Sequence, residues 1–338
     1  MALIMKSRVR VKKVARVAAV LGFAVTTCTV LWICLLSYRD YGIWSIGIYG
    51  GSFPYDIEPI SECSVLSASD VTDVRAKGVA DPFMILAKNG MWYMFFEVIS
   101  NQGDIGFASS ADCISWKYEG LVLDEPFHLS YPYVFEYENE YYMIPETSES
   151  NEVRLYKATE FPRKWIFQQK LLDGSYVDPS ILRHADVFYL FSSQGGKLTL
   201  HVASELTGPW ISHPASPIVK SNKRISRQAG RLVEVDGRLV RYAQDCTESY
   251  GKQVIAIEIQ RLSGFDYSEQ EMDENPILTA SGYGWNKDGM HHVDLHQTDG
   301  HWRACVDGKY YTQRFDLGYG YRKAKQLAKE VLMGNPSD

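Results

Sequence analysis

Four carboxylates hold matched places in this chain. Asp81 and Asp178 each precede a proline at the opening of a short extended run, and Glu97 and Glu146 each close an aromatic-rich run that follows such an opening. Two carboxyls, one protonated and one ionised, are what cleavage or transfer of a glycosidic bond requires. A carboxyl surrounded by aromatic side chains can have its pKa raised enough to serve as the acid. Asp-Pro also has a purely structural use, because proline fixes φ and aspartate bonds local backbone. Two such pairs at matching positions, with Glu97 and Glu146 matched as well, favour chemistry over that bland reading.

Other polar residues fall at the same kind of position. Arg227 opens an extended run, where its planar fork suits a carboxylate or phosphate; pairing with Asp81 or Asp178 to neutralise a carboxylate cluster is the somewhat stronger expectation. Gln244, Asp245, His291 and His292 are candidate substrate contacts. His292, Asp294 and His296 would share one face of a strand, a spacing that admits a divalent ion. The alternative is that one histidine lines a pocket while the others hydrogen-bond within the sheet, so no metal ligand is assigned and a central cation is the only cofactor entertained. Tyr131, Tyr133, Tyr283 and Trp285 are aromatic faces able to stack on a sugar ring, although most aromatic residues here should be packing.

The elements that must position these residues recur. Copies of one pattern open at Asp81-Pro82, Tyr131-Pro132, Asp178-Pro179, Gln228-Ala229 and His291-His292, and their second runs end at Glu97, Glu146, Ser193, Gln244 and Asp307. Three copies continue through Ala108-Ser109, Ala158-Thr159 and Ala203-Ser204 to Trp116, Trp165 and Trp210. A period of roughly 45 to 60 residues made of short strands is the signature of propeller blades. The near-continuous apolar runs Trp92 to Phe96, Tyr141 to Ile144 and Phe188 to Phe191 suit strands buried on both faces. Asn89-Gly90, Asp236-Gly237 and Asp299-Gly300 are hairpin signals in equivalent places. The expected fold is therefore an all-β, five-bladed propeller, with blades at about 78–125, 126–173, 174–220, 221–275 and 276–315. Ile46 to Tyr49 is the candidate strand for closing the last blade, a device that removes open sheet edges. Only Tyr321 to Met333 has helical spacing.

The chain has 338 residues, of which 46% are hydrophobic and 13% aromatic, so a large core is available. A net charge of -6 leaves no basic footprint for nucleic acid. Lys6, Arg8, Arg10, Lys12, Lys13 and Arg16 precede an uncharged run from Val17 to Tyr38. About 20 apolar residues are needed to cross a membrane, and a basic flank keeps its own side cytoplasmic. The expected organisation is a cytoplasmic tail at 1–16, a transmembrane signal-anchor at 17–38, a stem with the closing strand at 39–61, the propeller at 62–320 outside the cytoplasm, and a helical tail at 321–338. A cleaved signal peptide is the rival reading. Apart from Cys28 and Cys34 in the apolar run, Cys63, Cys113, Cys246 and Cys305 either pair or remain as free thiols.

At Asp81-Pro82-Phe83, Trp92 to Glu97 and Asp178-Pro179-Ser180 the chain resembles the five-bladed furanosidase propellers, among them arabinanases, β-xylosidases and invertases. More narrowly it resembles the N-terminal domain of plant glucosamine inositolphosphorylceramide transferases and bacterial relatives. That likeness is carried by Trp44 to Tyr49, Val79 to Phe83, Ser130 to Glu136, Met143-Ile144-Pro145-Glu146, Gly208-Pro209-Trp210, Ala243-Gln244-Asp245-Cys246 and Gly289-Met290-His291-His292. The furanosidase likeness implies Asp81 as the general base and Asp178 as the aspartate that orients the site and tunes the acid, and a glycosidic reaction here would use Asp81 as base or nucleophile. The furanosidase pattern also has a catalytic glutamate opening blade four. Here that stretch is Ser226-Arg227-Gln228-Ala229-Gly230, with no carboxylate, so Glu146 or Glu97 would have to supply the acid. The plant proteins carry a glycosyltransferase domain after the propeller, for which this chain is not expected to have room. Two functions follow as expectations: a membrane-anchored carbohydrate-active propeller acting on a glycan or glycoconjugate, or a non-catalytic glycan-binding module serving a separate glycosyltransferase. A pure protein-interaction propeller has no need of repeated carboxylates.

Overall fold

A computed structural model describes residues 22–333. The first strand, β1 (Tyr38–Phe53), turns into β2 (Asp56–Pro59), and neither pairs with the strands that follow next. The chain then lays down three four-stranded sheets in succession: β3 (Gly78–Leu86) to β6 (Lys117–Leu123), β7 (Ser130–Tyr137) to β10 (Lys164–Asp173), and β11 (Val177–His184) to β14 (Ile211–Ser212). A fourth sheet runs from β15 (Val233–Val235) to β18 (Tyr267–Glu271), with β19 (Leu278–Thr279) added beside β17 (Gln253–Leu262). The fifth sheet is built from both ends of the chain, in the order β2, β1, β21 (His301–Phe315), β20 (Val293–Thr298). Five antiparallel sheets in sequence, the last completed by the N-terminal strand, make a five-bladed propeller.

Ile46 and Ile48, in the segment expected to close the ring, are buried within that fifth sheet. Along β4 (Trp92–Ile99), Met94, Phe95 and Phe96 are all fully buried, because each blade is covered on both faces by its neighbours. Phe83 and Phe95 of the first blade pack in one cluster with Tyr133, Ile144 and Leu155 of the second. Such inter-blade contacts are where the apolar area leaves water, at about 25 cal/mol per Å². Asp236-Gly237 and Asp299-Gly300 have positive φ at both residues, as a two-residue hairpin turn of type I′ demands.

Residues 43–310 form one compact unit, the propeller; the described residues up to Gly42 and from Tyr311 onward form another. In the second unit residues 22–36 are helical (α1), and α2 spans Leu317–Met333. α2 begins ahead of the expected Tyr321, since Asp316 accepts the Tyr319 N–H at 2.9 Å and caps it. Gly318 and Gly320 hide this first turn from a propensity reading. The basic tail at 1–16 and residues 17–21 of the expected anchor lie outside the described residues. Among the described residues no helix is long and apolar enough to cross a membrane. All six cysteines are free thiols.

Candidate functional site

The inner strands of the first three blades share one backbone device. Asp81, Tyr131 and Asp178, each followed by proline, have φ of 52°, 48° and 51°. In each case strand register slips across the pair: between Ala80 and Phe83, between Ser130 and Tyr133, and between Val177 and Ser180. A bulge of this kind re-aims a side chain, and the left-handed conformation costs a non-glycine residue on the order of 1–2 kcal/mol. Carboxylates of the preceding blade offset that cost. Asp307 Oδ2 accepts the Asp81 N–H at 3.0 Å, and Glu146 Oε2 accepts the Asp178 N–H at 3.2 Å. Two of the matched run ends, Asp307 and Glu146, are therefore fasteners for the next blade's opening. Blade four instead uses Gly230, at φ 134°, whose N–H donates to Tyr131 Oη at 2.7 Å.

The hub has a saturated side. Arg227 Nε donates to Asp178 Oδ2, its Nη2 donates to Asp178 Oδ1 at 3.4 Å, and Nη2 stands 3.9 Å from Glu146 Oε2. Gln244 Nε2 donates to Asp178 Oδ2 at 3.0 Å and to the Gln228 carbonyl at 2.8 Å. Arg227 thus neutralises the carboxylate cluster, as its position in the sequence favoured. Ser148 Oγ donates to Glu146 Oε1 at 2.7 Å.

The opposite side is open in hydrogen-bonding terms. His291 Nδ1 pairs with Asp307 Oδ1 at 2.8 Å and its Nε2 with Tyr250 Oη at 3.0 Å, while its ring stacks on Trp44 at 4.1 Å. Asp81 Oδ1 lies 3.9 Å from His291 Nε2 and 3.8 Å from His292 Nδ1, and this buried oxygen has no hydrogen-bond partner among the described residues. Both ring nitrogens of His292 are likewise buried and unpartnered. Glu97 has His128 Nε2 at 3.5 Å.

Protonation follows from burial. Desolvation is the largest influence on Asp81 and, against the opposing charge of His291, pushes its pKa up to about 7. Burial and the charge of Asp178 push Glu146 up to about 8, while burial and the charge of Asp81 hold Glu97 well above the usual carboxylate range. Burial acts to raise Asp307 too, but the charge and hydrogen bond of His291 outweigh it and hold Asp307 low. Burial would lower His291, and Asp307 outweighs that and raises it. Burial brings His292 down to about 4, so it is neutral at pH 7. The hub therefore contains protonated acids beside ionised ones, the division that acid–base chemistry needs.

Asp81, His291 and Asp307 offer ligand atoms within 4.8 Å of one another. A metal ion there would have to take a His291 nitrogen away from Asp307 or Tyr250, so the set fits a hydrogen-bonded relay better than a cation. The His292, Asp294 and His296 reading fares no better. Asp294 is consumed by Arg231 Nε at 2.7 Å, the Met84 N–H at 2.7 Å and His296 Nε2 at 3.1 Å, a tie between blades that holds its pKa near 2 against burial.

Several candidates are placed elsewhere. Asp245 is occupied by Arg224 Nη1 at 2.8 Å, Gln253 Nε2 at 2.8 Å and Thr247. Trp285 lies over Gly47 and Gly308, where a Cβ would meet its ring at 2.4 and 2.7 Å, so it is packing rather than a sugar platform. Tyr131 and Tyr133 are buried rather than exposed. Trp44, Tyr250 and Asp307 join the hub although the sequence reading gave none of them a role there. Asp307 was visible as the end of a second run, whereas Tyr250 sits in a loop with no periodic signal.

Fold and hub together define a five-bladed propeller with carboxylates gathered at its axis. A thermostable family-43 glycoside hydrolase has the same fold, with a TM-score of 0.50 and 16% identity over 69% of this chain and 89% of that one. The chain belongs to the family described as glucosamine inositolphosphorylceramide transferase 1, N-terminal, which it matches over residues 37–309. Glucosamine inositolphosphorylceramide transferase 1 of rice (Oryza sativa subsp. indica) is 33% identical over 335 residues, covering 86% of this chain and 45% of the rice protein. The Arabidopsis thaliana protein of the same name is 33% identical over 329 residues, covering 87% of this chain and 43% of its own length. The chain thus spans less than half the length of these plant relatives.

Proposed function

We propose that this chain is a carbohydrate-active propeller that cleaves or transfers a glycosidic bond at its hub. Asp81 acts as base or nucleophile, Glu146 or Glu97 as acid, and Asp178 as the residue that orients the site. The observation that carries this is Asp81 Oδ1, a buried carboxylate oxygen without a partner. Such an atom costs free energy unless something outside the protein satisfies it, and a substrate hydroxyl or attacking water would do so. His291, held by Asp307 and Tyr250, lies close enough to stabilise the ionised form of Asp81 as the reaction proceeds. The plant relatives are named glucosamine inositolphosphorylceramide transferase 1, and a glycoconjugate is accordingly the proposed substrate class. The apolar run and its basic flank support anchorage in a membrane with the N-terminus cytoplasmic and the propeller on the other side.

The second reading, a non-catalytic glycan-binding module for a separate glycosyltransferase, is favoured by the absence of a carboxylate opening blade four and by Arg227 holding Asp178. Incubating the chain with a panel of glycosides and glycolipid headgroups separates the two. Turnover lost in Asp81→Asn, with binding retained, supports catalysis. Binding without turnover, unchanged by Asp81→Asn, leaves only the binding module.

A further inference from the structure

Beside the hub lies a cavity of about 490 Å³ whose character differs from that of the hub itself. The hub is rich in carboxylates, yet among the described residues no Asp or Glu lines the cavity. Its wall carries two cations, Lys223 and Arg227, with the hydroxyls of Ser175, Ser193 and Ser226 and the ring of Tyr250. Lys223 is exposed and makes no ion pair among the described residues. Arg227 spends Nε and Nη2 on Asp178 and Glu146, while its Nη1 donates to no described residue. Its guanidinium lies 5.2 Å from the centre of the Tyr250 ring. Ser193 Oγ donates to the Ser226 carbonyl at 2.6 Å, and the side chains of Ser175 and Ser226 bond no described residue.

The wall is also held in place. The Cys246 N–H donates to the Lys223 carbonyl at 3.0 Å, and the Gln244 N–H to the Arg227 carbonyl at 2.9 Å. Between them Arg224 grips Asp245 at 2.8 Å and Glu271 at 3.0 Å. The two cations therefore flank a fastened segment rather than a free loop. The volume lies within the range of ordinary ligand pockets, roughly 300 to 1,000 Å³.

We infer that this cavity is a subsite for the anionic group, phosphate ester or carboxylate, of an acidic glycan whose sugar engages the hub. Two cations and the two hydroxyls of Ser175 and Ser226, which donate to no described residue, match the charge-assisted recognition of an oxyanion, and a neutral sugar has no use for the positive charge of Lys223. Arg227 joins the subsites, since it touches both the cavity and Asp178. The inference rests on the carbohydrate reading for the sugar, but not for the anion.

Calorimetric titration of the full chain in neutral detergent tests this, with glucose 1-phosphate, glucuronic acid, glucose and inorganic phosphate as probes. At least one acidic sugar is expected to bind about tenfold tighter than glucose, with the advantage lost in Lys223→Ala and weakened by salt. The tighter of the two acids identifies the anion. Lys223 is exposed and its side chain is unpaired, so the variant keeps the fold. Equal binding of all three sugars, untouched by Lys223→Ala, overturns the subsite and leaves the carbohydrate reading standing. Lys223-dependent binding of inorganic phosphate with no binding of any sugar upholds the anion site and overturns the carbohydrate reading. No Lys223-dependent binding of any anionic probe overturns the inference.

Discussion

Asp307 accepts the backbone N–H of Asp81 at 3.0 Å, and so the last blade fixes the opening residue of the first. The other oxygen of the same carboxylate pairs with His291 at 2.8 Å. One side chain thereby sets both the bulge that presents Asp81 and the charge of the histidine beside it. Asp307→Asn keeps the size of the side chain but removes the charge. The pKa of His291, followed by NMR, is expected to fall, and stability to drop by about 3 kcal/mol in denaturant unfolding. An unchanged His291 titration would show that Asp307 does not set its charge.

Gly230 makes a different kind of demand. A Cβ there would stand 1.8 Å from the Val293 carbonyl oxygen, and φ is 134°. The obstacle is backbone of the neighbouring blade and cannot rotate away. Gly230→Ala is expected to cost more than about 3 kcal/mol or to prevent folding. Gly237→Ala, at φ 72° with nothing within 4 Å, should cost only about 1 kcal/mol of backbone strain. Thermal unfolding of the two variants side by side checks the difference, and equal losses would contradict it.

The blades were legible in the sequence because each repeats the same turn chemistry and aromatic run, and burial on both faces turns alternation into continuous apolar strings. The hub was half legible. Asp81, Asp178 and Arg227 were found because they sit at the openings of the recurring pattern, and Glu97 and Glu146 because they end its second runs. The positive φ at Asp81, Tyr131 and Asp178 was hidden, since a residue before proline is ordinarily extended. Tyr131 misled for that reason: the bulge sends its hydroxyl to Ser180 and Gly230, and its ring never reaches solvent. Asp245 shared a motif with Gln244, but adjacent residues on a strand face opposite ways, and only Gln244 reaches Asp178. The Tyr250–His291 contact joins a turn to the segment leading into β20 across 41 positions, and nothing local in the sequence announces it.

Arg227 holds Asp178 with two donors and stands near Glu146. Arg227→Met would leave the Asp178 charge buried with only Gln244 as a side-chain donor. Breaking a buried pair costs about 3–5 kcal/mol; Arg227 is 30% exposed, so the lower end, about 3 kcal/mol, is expected. Adding Asp178→Asn should recover much of the loss by removing the orphaned charge. Additive losses in that double-mutant cycle would mean that the two side chains are not coupled.

The protonated hub also predicts how stability depends on pH. Asp81, at about 7, and Glu146, at about 8, retain protons in the folded chain that the unfolded chain releases near their ordinary values of 3.8 and 4.5. A raised pKa is stability fully present below the unfolded value and lost as pH rises through the folded one, with a slope of at most about 1.4 kcal/mol per pH unit for each group. His291, also raised, acts in the same direction. Burial lowers His201 and His292 to about 4 from 6.5, and this adds stability as pH rises between those values, offsetting the carboxyls there. Above the ordinary histidine pKa of about 6.5 that offset is complete, and the net loss should appear between about pH 6.5 and 8. Glu146→Gln cannot ionise and should flatten the fall, most clearly between about pH 7 and 8. Thermal unfolding in steps across this range distinguishes the cases: a Tm that falls in the parent chain and levels in Glu146→Gln places the retained proton on Glu146. A Tm that holds steady in the parent chain up to pH 8 would mean that the hub carboxyls are already ionised, and neither Glu97 nor Glu146 could then supply the acid.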